Sequence, residues 1–291
     1  MVFLKNIILW VFASILIFFF SSCARLKESV LVEKYIANKY IEQNASMQTL
    51  DKYSKVLDQN TSLYLNQKLR GKLQSIIPIK LKKNIVYFKI NTFDKKITTT
   101  IRKECEESSF IRGIILDLRD NGGGLLSEAV SLVDLFLEKG IILKEQGRKG
   151  LDSKVYMAHK KSICKNIPLV ILVNAKSASA SEIVAGALQI HERATLIGSK
   201  TFGKGTIQES IGLPNNKILN ITVSKYVLAQ DKKIDNIGIQ PDINVNHSKI
   251  KLYSKKLQFS KQAYKNLHSI AKDKNLDTVL QIGFYVLAYN I

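Results

Sequence analysis

Apolar residues in the middle of the chain follow two patterns, and these alternate from one segment to the next. Segments that are β-branched and aromatic, or continuously apolar, predict strands; they lie at 84–93, 113–118, 168–173 and 218–228. Helices are expected at about 95–110, 125–138 and 180–190, the last two with apolar residues on one face. Strands that alternate with helices in this way predict an α/β core.

Both ends of the chain are predicted to be helical. Between residue 24 and about 77, apolar residues such as Val30, Tyr35 and Ile36 recur at helical spacing, and the first proline that follows is Pro78. The tail after about residue 250 is rich in lysine and is also predicted to be helical. The predicted divisions are a targeting segment at 1–23, an N-terminal helical segment at 24–82, a core at 83–248 and a C-terminal helical tail at 249–291.

The first 23 residues have the pattern of an export signal. Lys5 gives a positive start, residues 7–20 are an apolar run, and Ser21 and Ser22 are small residues before Cys23. A cysteine after small residues resembles a bacterial lipoprotein signal, which implies lipidation of Cys23; an ordinary signal peptide and an uncleaved anchor are the alternatives. We expect an exported protein of the periplasm or cell envelope, anchored to the membrane at its N-terminus.

Charge and cysteine content narrow the partners. The formal net charge is +20, which favours an anionic partner such as a membrane surface or nucleic acid. The lysines are dispersed, so a solvated basic surface is favoured and no nucleic acid is expected. Export permits a disulfide between Cys105 and Cys164, but no spacing requires one, and two buried or isolated thiols are the favoured interpretation.

Ser179 is the candidate nucleophile. It lies where the strand at 168–173 turns into the helix expected at 180–190, between the small residues Ala178 and Ala180. The first N–H groups of a helix have no partner within it and favour a developing anion. The alternative is that Ser177, Ser179 and Ser181 only cap the helix.

Lys204 is the candidate base. A lysine must be neutral to accept a proton, and burial lowers its pKa from about 10.4. Phe202 is expected to give apolar cover to Lys204. If the segment is extended, Gln208 shares a face with Lys204 and could orient its amine; a surface glutamine is the alternative.

A nucleotide-binding loop is a competing interpretation of the same segment. Residues 198–205, GSKTFGKG, nearly fit the phosphate-binding pattern, but Gly205 stands where a hydroxyl is needed to bind magnesium. This interpretation is therefore set aside.

A glycine-rich loop is the third chemical element. Consecutive glycines at 122–124 expose backbone N–H groups at the start of a helix. Such donors can hold the oxyanion of a tetrahedral intermediate. Gly123 or Gly124 is the first candidate donor and Ala180 the second; a plain turn is the alternative.

Three blocks of sequence resemble the C-terminal processing peptidases, also called tail-specific proteases. Residues 113–130 resemble the family's glycine loop, with Gly122 at the place of a proline. Residues 177–189 resemble its nucleophile block and put the family serine on Ser179. Residues 193–208 resemble its lysine block and put the base on Lys204 and its orienting partner on Gln208. The element at 238–242 also fits.

Two departures from the family pattern stand out. Ile190 occupies a position where the family often has aspartate. Residues 51–54 faintly resemble the element that precedes the PDZ domain in most members. Only about 30 residues separate Ser54 from the first core strand, too few for that domain, since a domain needs at least about 50 residues. Without a PDZ domain we expect weak specificity for a substrate's tail.

The resemblance implies a ClpP/crotonase-like ββα superhelix core with flanking helical segments. It also implies a serine endopeptidase that uses a Ser–Lys pair, needs no cofactor or metal, and cuts exported polypeptides at or near their C-termini. An adaptor protein or a homodimer through the helical segments are further partners left open. The alternatives are a catalytically silent scaffold or binding protein of the same fold, and a crotonase-like acyl-CoA enzyme, whose substrate an exported protein would not meet.

Overall fold

The computed structural model describes residues 62–65, 74–107, 110–147, 153–159, 162–214, 217–246, 249–254, 257, 260–272 and 277–288. The predicted targeting segment, Cys23 and the helical prediction for residues 24–61 lie outside them. The strands are β1 Ser62–Leu65, β2 Ile76–Lys80, β3 Ile85–Ile90, β4 Gly113–Asp117, β5 Ile141–Gly147, β6 Lys154–Met157, β7 Leu169–Val173, β8 Thr195–Gly198, β9 Thr206–Leu213, β10 Lys217–Leu228, β11 Ile243–Asn246 and β12 Lys249–Leu252. The α-helices are α1 Ile97–Glu107, α2 Leu126–Asp134, α3 Ala180–Ile190, α4 Lys261–Lys272 and α5 Thr278–Ala288.

The chain divides into two compact units. Of the described residues, the smaller contains 62–65, Gly147, 206–214 and 217–224, and the larger contains the rest. In the smaller unit β1 pairs antiparallel with β10, and β9 also pairs with β10.

The larger unit is built on a seven-stranded sheet in the order β12-β11-β8-β7-β4-β3-β2. The five central strands run parallel, and β2 and β12 are antiparallel edges. Every residue of β4 and β7 is buried, as their continuously apolar sequences predict. Strands β3, β4, β7 and β10 and helices α1, α2 and α3 lie where the sequence predicts them, and the α/β class is confirmed.

The C-terminal helices complete the core. Leu267 of α4 and Ile282 and Val286 of α5 belong to the same buried cluster as Val170 and Leu172 of β7. A side chain at Gly283 would lie 3.1 Å from Leu172, so glycine lets α5 approach β7 closely. The tail therefore covers the sheet rather than flanking a finished core.

The helical prediction fails where it meets β1, β2 and β12. Ser62–Leu65 is a strand because it pairs with β10. Pro78 lies inside β2, an edge strand, where a residue without an N–H is tolerated. The tail begins with β12, which pairs with β11. The sheet thus extends beyond the predicted core of 83–248 at both ends.

Cys105 of α1 and Cys164 form a disulfide, with Cα atoms 5.9 Å apart. The preference for two isolated thiols was wrong, because the fold brings together residues that lie 59 apart in sequence. Within the ranges given above, no helix combines the length and the apolar character that crossing a membrane requires.

Candidate active site

Ser179 occupies a sharp turn between strand β7 and helix α3. It is the residue directly before Ala180, the first residue of α3, and its backbone has φ 57° and ψ −117°. Residues other than glycine rarely adopt a positive φ, and those that do cluster at functional sites. Ser179 forms a capping box with Glu182 at the start of α3, so the capping alternative holds for this serine, and the positive φ is a feature beyond what such a cap requires.

The three neighbouring serines differ in what their hydroxyls do. Ser177 and Ser181 are fully buried, and their hydroxyls donate to the carbonyls of Leu118 (2.8 Å) and Asn121 (2.9 Å). Ser179 alone among the three is partly exposed. Its neighbours thus act as structural ties, and Ser179 is the serine that a substrate can reach.

The glycine loop lies directly against Ser179. A Cβ atom placed on Gly123 would lie 2.9 Å from the Cβ of Ser179 and 3.1 Å from the nitrogen of Ala180. The N–H of Ala178 also donates to the Asn121 carbonyl, at 3.0 Å. The structure therefore brings the loop and the start of α3 together, and only glycine fits at position 123.

The candidate oxyanion donors differ in their present bonds. The N–H of Gly123 donates to Oδ1 of Asn121 at 2.8 Å, so it would have to leave that bond to serve an oxyanion. Gly124 is exposed, with φ +148°, and Ala180 begins α3. The oxyanion roles of Gly123, Gly124 and Ala180 remain predictions.

Glu182 connects the serine turn to the lysine loop. It is fully buried, and its Oε2 accepts the N–H groups of Ser179 (3.0 Å) and Lys204 (2.8 Å). Its Oε1 accepts the Thr201 hydroxyl (2.6 Å) and the Gly203 N–H (2.7 Å). Because four donors surround it, a buried carboxylate is fully satisfied here.

The sequence interpretation missed Glu182. The signal that could have found it is the spacing Ser-x-x-Glu at the start of a helix, which is the capping-box pattern. What that pattern does not reveal is the second pair of donors, which come from residues 201–204.

Lys204 lies in the loop before β9 and is partly exposed. Phe202, expected to give Lys204 apolar cover, is itself 59% exposed, and its covering role remains a prediction. The buried Tyr226 lies against the loop instead. Its hydroxyl donates to the Lys204 carbonyl at 2.6 Å and lies 3.3 Å from the Ser179 carbonyl.

Tyr226 acts as a neutral donor at this position. Burial, with the negative charges of Glu182 and Asp235, raises the pKa of its hydroxyl well above the usual value of 10.0. The Tyr226 hydroxyl therefore keeps its proton, and its hydrogen bond to the Lys204 carbonyl, across the physiological pH range.

Gln208 lies on β9, which belongs to the smaller unit. Its role as the orienting partner of Lys204 remains a prediction.

Ile190 is the last residue of α3, and the neighbouring Gln189 side chain donates to Asp242 at 3.0 Å.

The serine turn, the glycine loop and the lysine loop all lie within a segment that matches a known peptidase family. Residues 84–245 match the model of Peptidase family S41, and the chain belongs to that family.

The relatives that the chain resembles are processing proteases. It is 47% identical over 135 residues to the carboxy-terminal-processing protease of Bartonella bacilliformis, which is 46% of this chain and 31% of that protein. It is 35% identical over 160 residues to the chloroplastic carboxyl-terminal-processing peptidase 2 of Arabidopsis thaliana, which is 54% of this chain and 31% of that protein. The matched part thus spans less than a third of either relative.

Solved structures agree with this family. The photosystem II D1 C-terminal processing protease superposes with a TM-score of 0.51 at 26% identity, covering 75% of this chain and 53% of that one. A lipoprotein from Streptococcus agalactiae superposes with a TM-score of 0.58 at 15% identity, covering 75% and 91%, which is a likeness of fold alone.

Proposed function

We propose that this protein is a serine endopeptidase that cleaves exported polypeptides at or near their C-termini through an acyl-enzyme. The observation that carries the proposal is the position of Ser179, partly exposed with a positive φ, while both neighbouring serine hydroxyls are committed to backbone carbonyls. The names of the family's processing proteases support the choice of substrate.

The hydroxyl of Ser179 attacks the carbonyl carbon of the scissile peptide bond while the neutral amine of Lys204 takes its proton. The oxyanion that forms is stabilised by the N–H of Ala180 and by a glycine N–H of the loop. Lys204 then returns the proton to the leaving amine, and water releases the acyl group from Ser179. Gln208 orients the Lys204 amine.

The polypeptide is captured outside the cytoplasm, and the N-terminal segment with Cys23 anchors the protein to the membrane. The competing function is a catalytically silent protein of the same fold. The Asn121–Gly123 bond is the observation in its favour, because it occupies one candidate oxyanion donor.

The test compares the full chain with Ser179→Ala and Lys204→Ala in the degradation of an unfolded protein and in labelling by a fluorophosphonate, which reacts with activated serines. We expect Ser179→Ala to lose both signals and Lys204→Ala to lose about 10²–10⁴-fold in rate, the usual contribution of a general base. The exposed Lys200→Ala is the matched control and should behave as wild type. Equal signals in wild type and Ser179→Ala would remove the peptidase assignment and leave the silent protein.

A further inference from the structure

Arg119 joins the entrance of the glycine loop to the start of the last helix. Its Nε and one Nη donate to both oxygens of Asp117, at 2.9 and 2.6 Å. Its two Nη atoms donate to both oxygens of Asp277, each at 2.7 Å. One guanidinium therefore holds two carboxylates in bidentate geometry, the strongest arrangement that such a pair adopts.

From this contact we propose that Asp277 is a positioning residue for the catalytic site. Through Arg119 it fixes the glycine loop against Ser179, and the proposal rests on the function proposed above. Residue 277 lies beyond the part of the chain that matches the family, 84–245. The tail would thus contribute to the site as well as to the core.

The inner end of the network is buried and bonded on several sides. The Asp117 side chain is 1% exposed and also accepts the Tyr87 hydroxyl at 2.8 Å. The Lys89 ammonium bonds the Arg119 carbonyl at 2.6 Å and lies 3.3 Å from Asp117. Arg119 is thereby held on both its backbone and its side chain, with its remaining donors directed at Asp277.

Burial works to raise the pKa of Asp117, but the hydrogen bonds and charge of Arg119, aided by Lys89, outweigh it and hold the pKa below its usual value. The same balance of burial against Arg119 lowers the pKa of Asp277. Both carboxylates therefore stay charged at neutral pH, as their bidentate bonds to the Arg119 guanidinium (the Arg119 fork) require.

The link from Arg119 to Ser179 runs through the next residues of the chain. Asp120 has φ 62°, and its N–H donates to the Asn174 side chain at 3.0 Å. Asn121 then bonds the Ile90 carbonyl and the Gly123 N–H with its side chain. Since Asn121 also accepts the N–H of Ala178, a shift of Arg119 is passed to the serine turn through short contacts.

Asp277 has a second role that can be separated from the first. Its Oδ1 also lies 3.2 Å from the N–H of Leu280 in the first turn of α5, as an N-cap does. Asparagine caps helices as well as aspartate. Asp277→Asn therefore keeps the cap but loses the charge and one acceptor of the fork, whereas Asp277→Ala loses both.

The first readout does not depend on activity. Hydrogen–deuterium exchange of residues 120–124 is compared in wild type, Asp277→Asn and the control Glu138→Gln, which breaks an exposed ion pair with Lys165. We expect exchange in this loop to be about tenfold faster in Asp277→Asn, the factor that the loss of one charge-assisted hydrogen bond gives, and unchanged in the control. Unchanged exchange in Asp277→Asn would overturn the positioning role whether or not the protein cleaves peptides.

The second readout is kinetic. For a fluorogenic peptide we expect kcat to fall about tenfold in Asp277→Asn with KM nearly constant, because the loop acts on the transition state. Arg119→Lys cannot form bidentate bonds with either carboxylate, so it should cost more than Asp277→Asn, and adding Asp277→Asn to it should cost little more than Arg119→Lys alone. A fall in melting temperature with both kcat and loop exchange unchanged would show a purely structural tie and sink the proposal. If the wild-type protein does not cleave the peptide, the proposed function is refuted. The exchange measurement would still decide the role of Asp277.

Discussion

Replacing Glu182 by glutamine keeps the size of the side chain but turns one of its two acceptor atoms into a donor. Oε1 accepts from Thr201 and Gly203, and Oε2 from Ser179 and Lys204. Whichever way the amide is turned, one pair of donors then faces an NH₂ group. Three of the four donors are backbone N–H groups, which cannot act as acceptors instead.

The expected cost follows from the two bonds lost. A hydrogen bond to a charged group contributes about 1.5–3 kcal/mol, so the free energy of unfolding should fall by about 3–6 kcal/mol. A domain of ordinary stability has about 5–15 kcal/mol, so the variant should lose a large share of its stability and stay folded only if the wild type lies above the lower end of that range. Because Glu182 holds the backbone of both Ser179 and Lys204, we expect kcat to fall by about 100-fold, as misplacements of roughly 1 Å do.

The assay is urea unfolding followed by circular dichroism, together with steady-state cleavage of a fluorogenic peptide. Glu128→Gln is the matched control. There a single oxygen, Oε2, accepts both the N–H (3.2 Å) and the hydroxyl (2.8 Å) of Thr98, and an amide oxygen can serve both. We expect the control to lose less than about 1 kcal/mol. Equal unfolding midpoints for the two variants, with kcat retained in Glu182→Gln, would refute the idea that this carboxylate holds the two loops together.

Three further changes should have measurable effects. Tyr226→Phe removes the hydroxyl bonded to the lysine-loop carbonyl and should cost about 1–2 kcal/mol in urea unfolding and lower kcat more than KM; an unaltered kcat would contradict its positioning role. Breaking the Cys105–Cys164 disulfide by Cys105→Ser or by reduction opens a loop of 59 residues and should lower the free energy of unfolding by about 4 kcal/mol. Equal urea midpoints for the wild-type protein with and without reductant would argue against the disulfide. Burial raises the pKa of Asp117, but Arg119 outweighs burial and holds the pKa below its usual value of 3.8. The unfolded chain therefore binds this proton more readily, and stability that is present above about pH 4 is lost as the pH falls further. A constant urea midpoint between pH 5 and pH 3 would speak against this linkage.

Local sequence patterns predicted the centre of the fold well. Strand β7 and helix α3 are each set by a short, strongly apolar run, and the helix bounds of 180–190 agree with the structure. The same local signals marked Ser179 and the glycine loop, since the end of a buried strand and the start of a helix put both at one edge of the sheet.

What the sequence could not give depends on contacts between distant residues. The donors at 201–204 reach Glu182 from about 20 residues away, and no periodicity announces them. The disulfide joins residues 59 apart. The strand at 62–65 carries a pattern compatible with a helix and becomes extended because β10 offers it a partner. In each case tertiary pairing overrides a weak local preference.

The close fit of α5 over β7 has a consequence for biosynthesis. A chain made from its N-terminus completes β4 and β7 more than 100 residues before Thr278–Ala288 is available to cover them. Until then Val170 and Leu172 lie on an exposed hydrophobic surface that is prone to aggregation with other nascent chains. A holdase that shields this surface during synthesis would be released once the last helix packs over it.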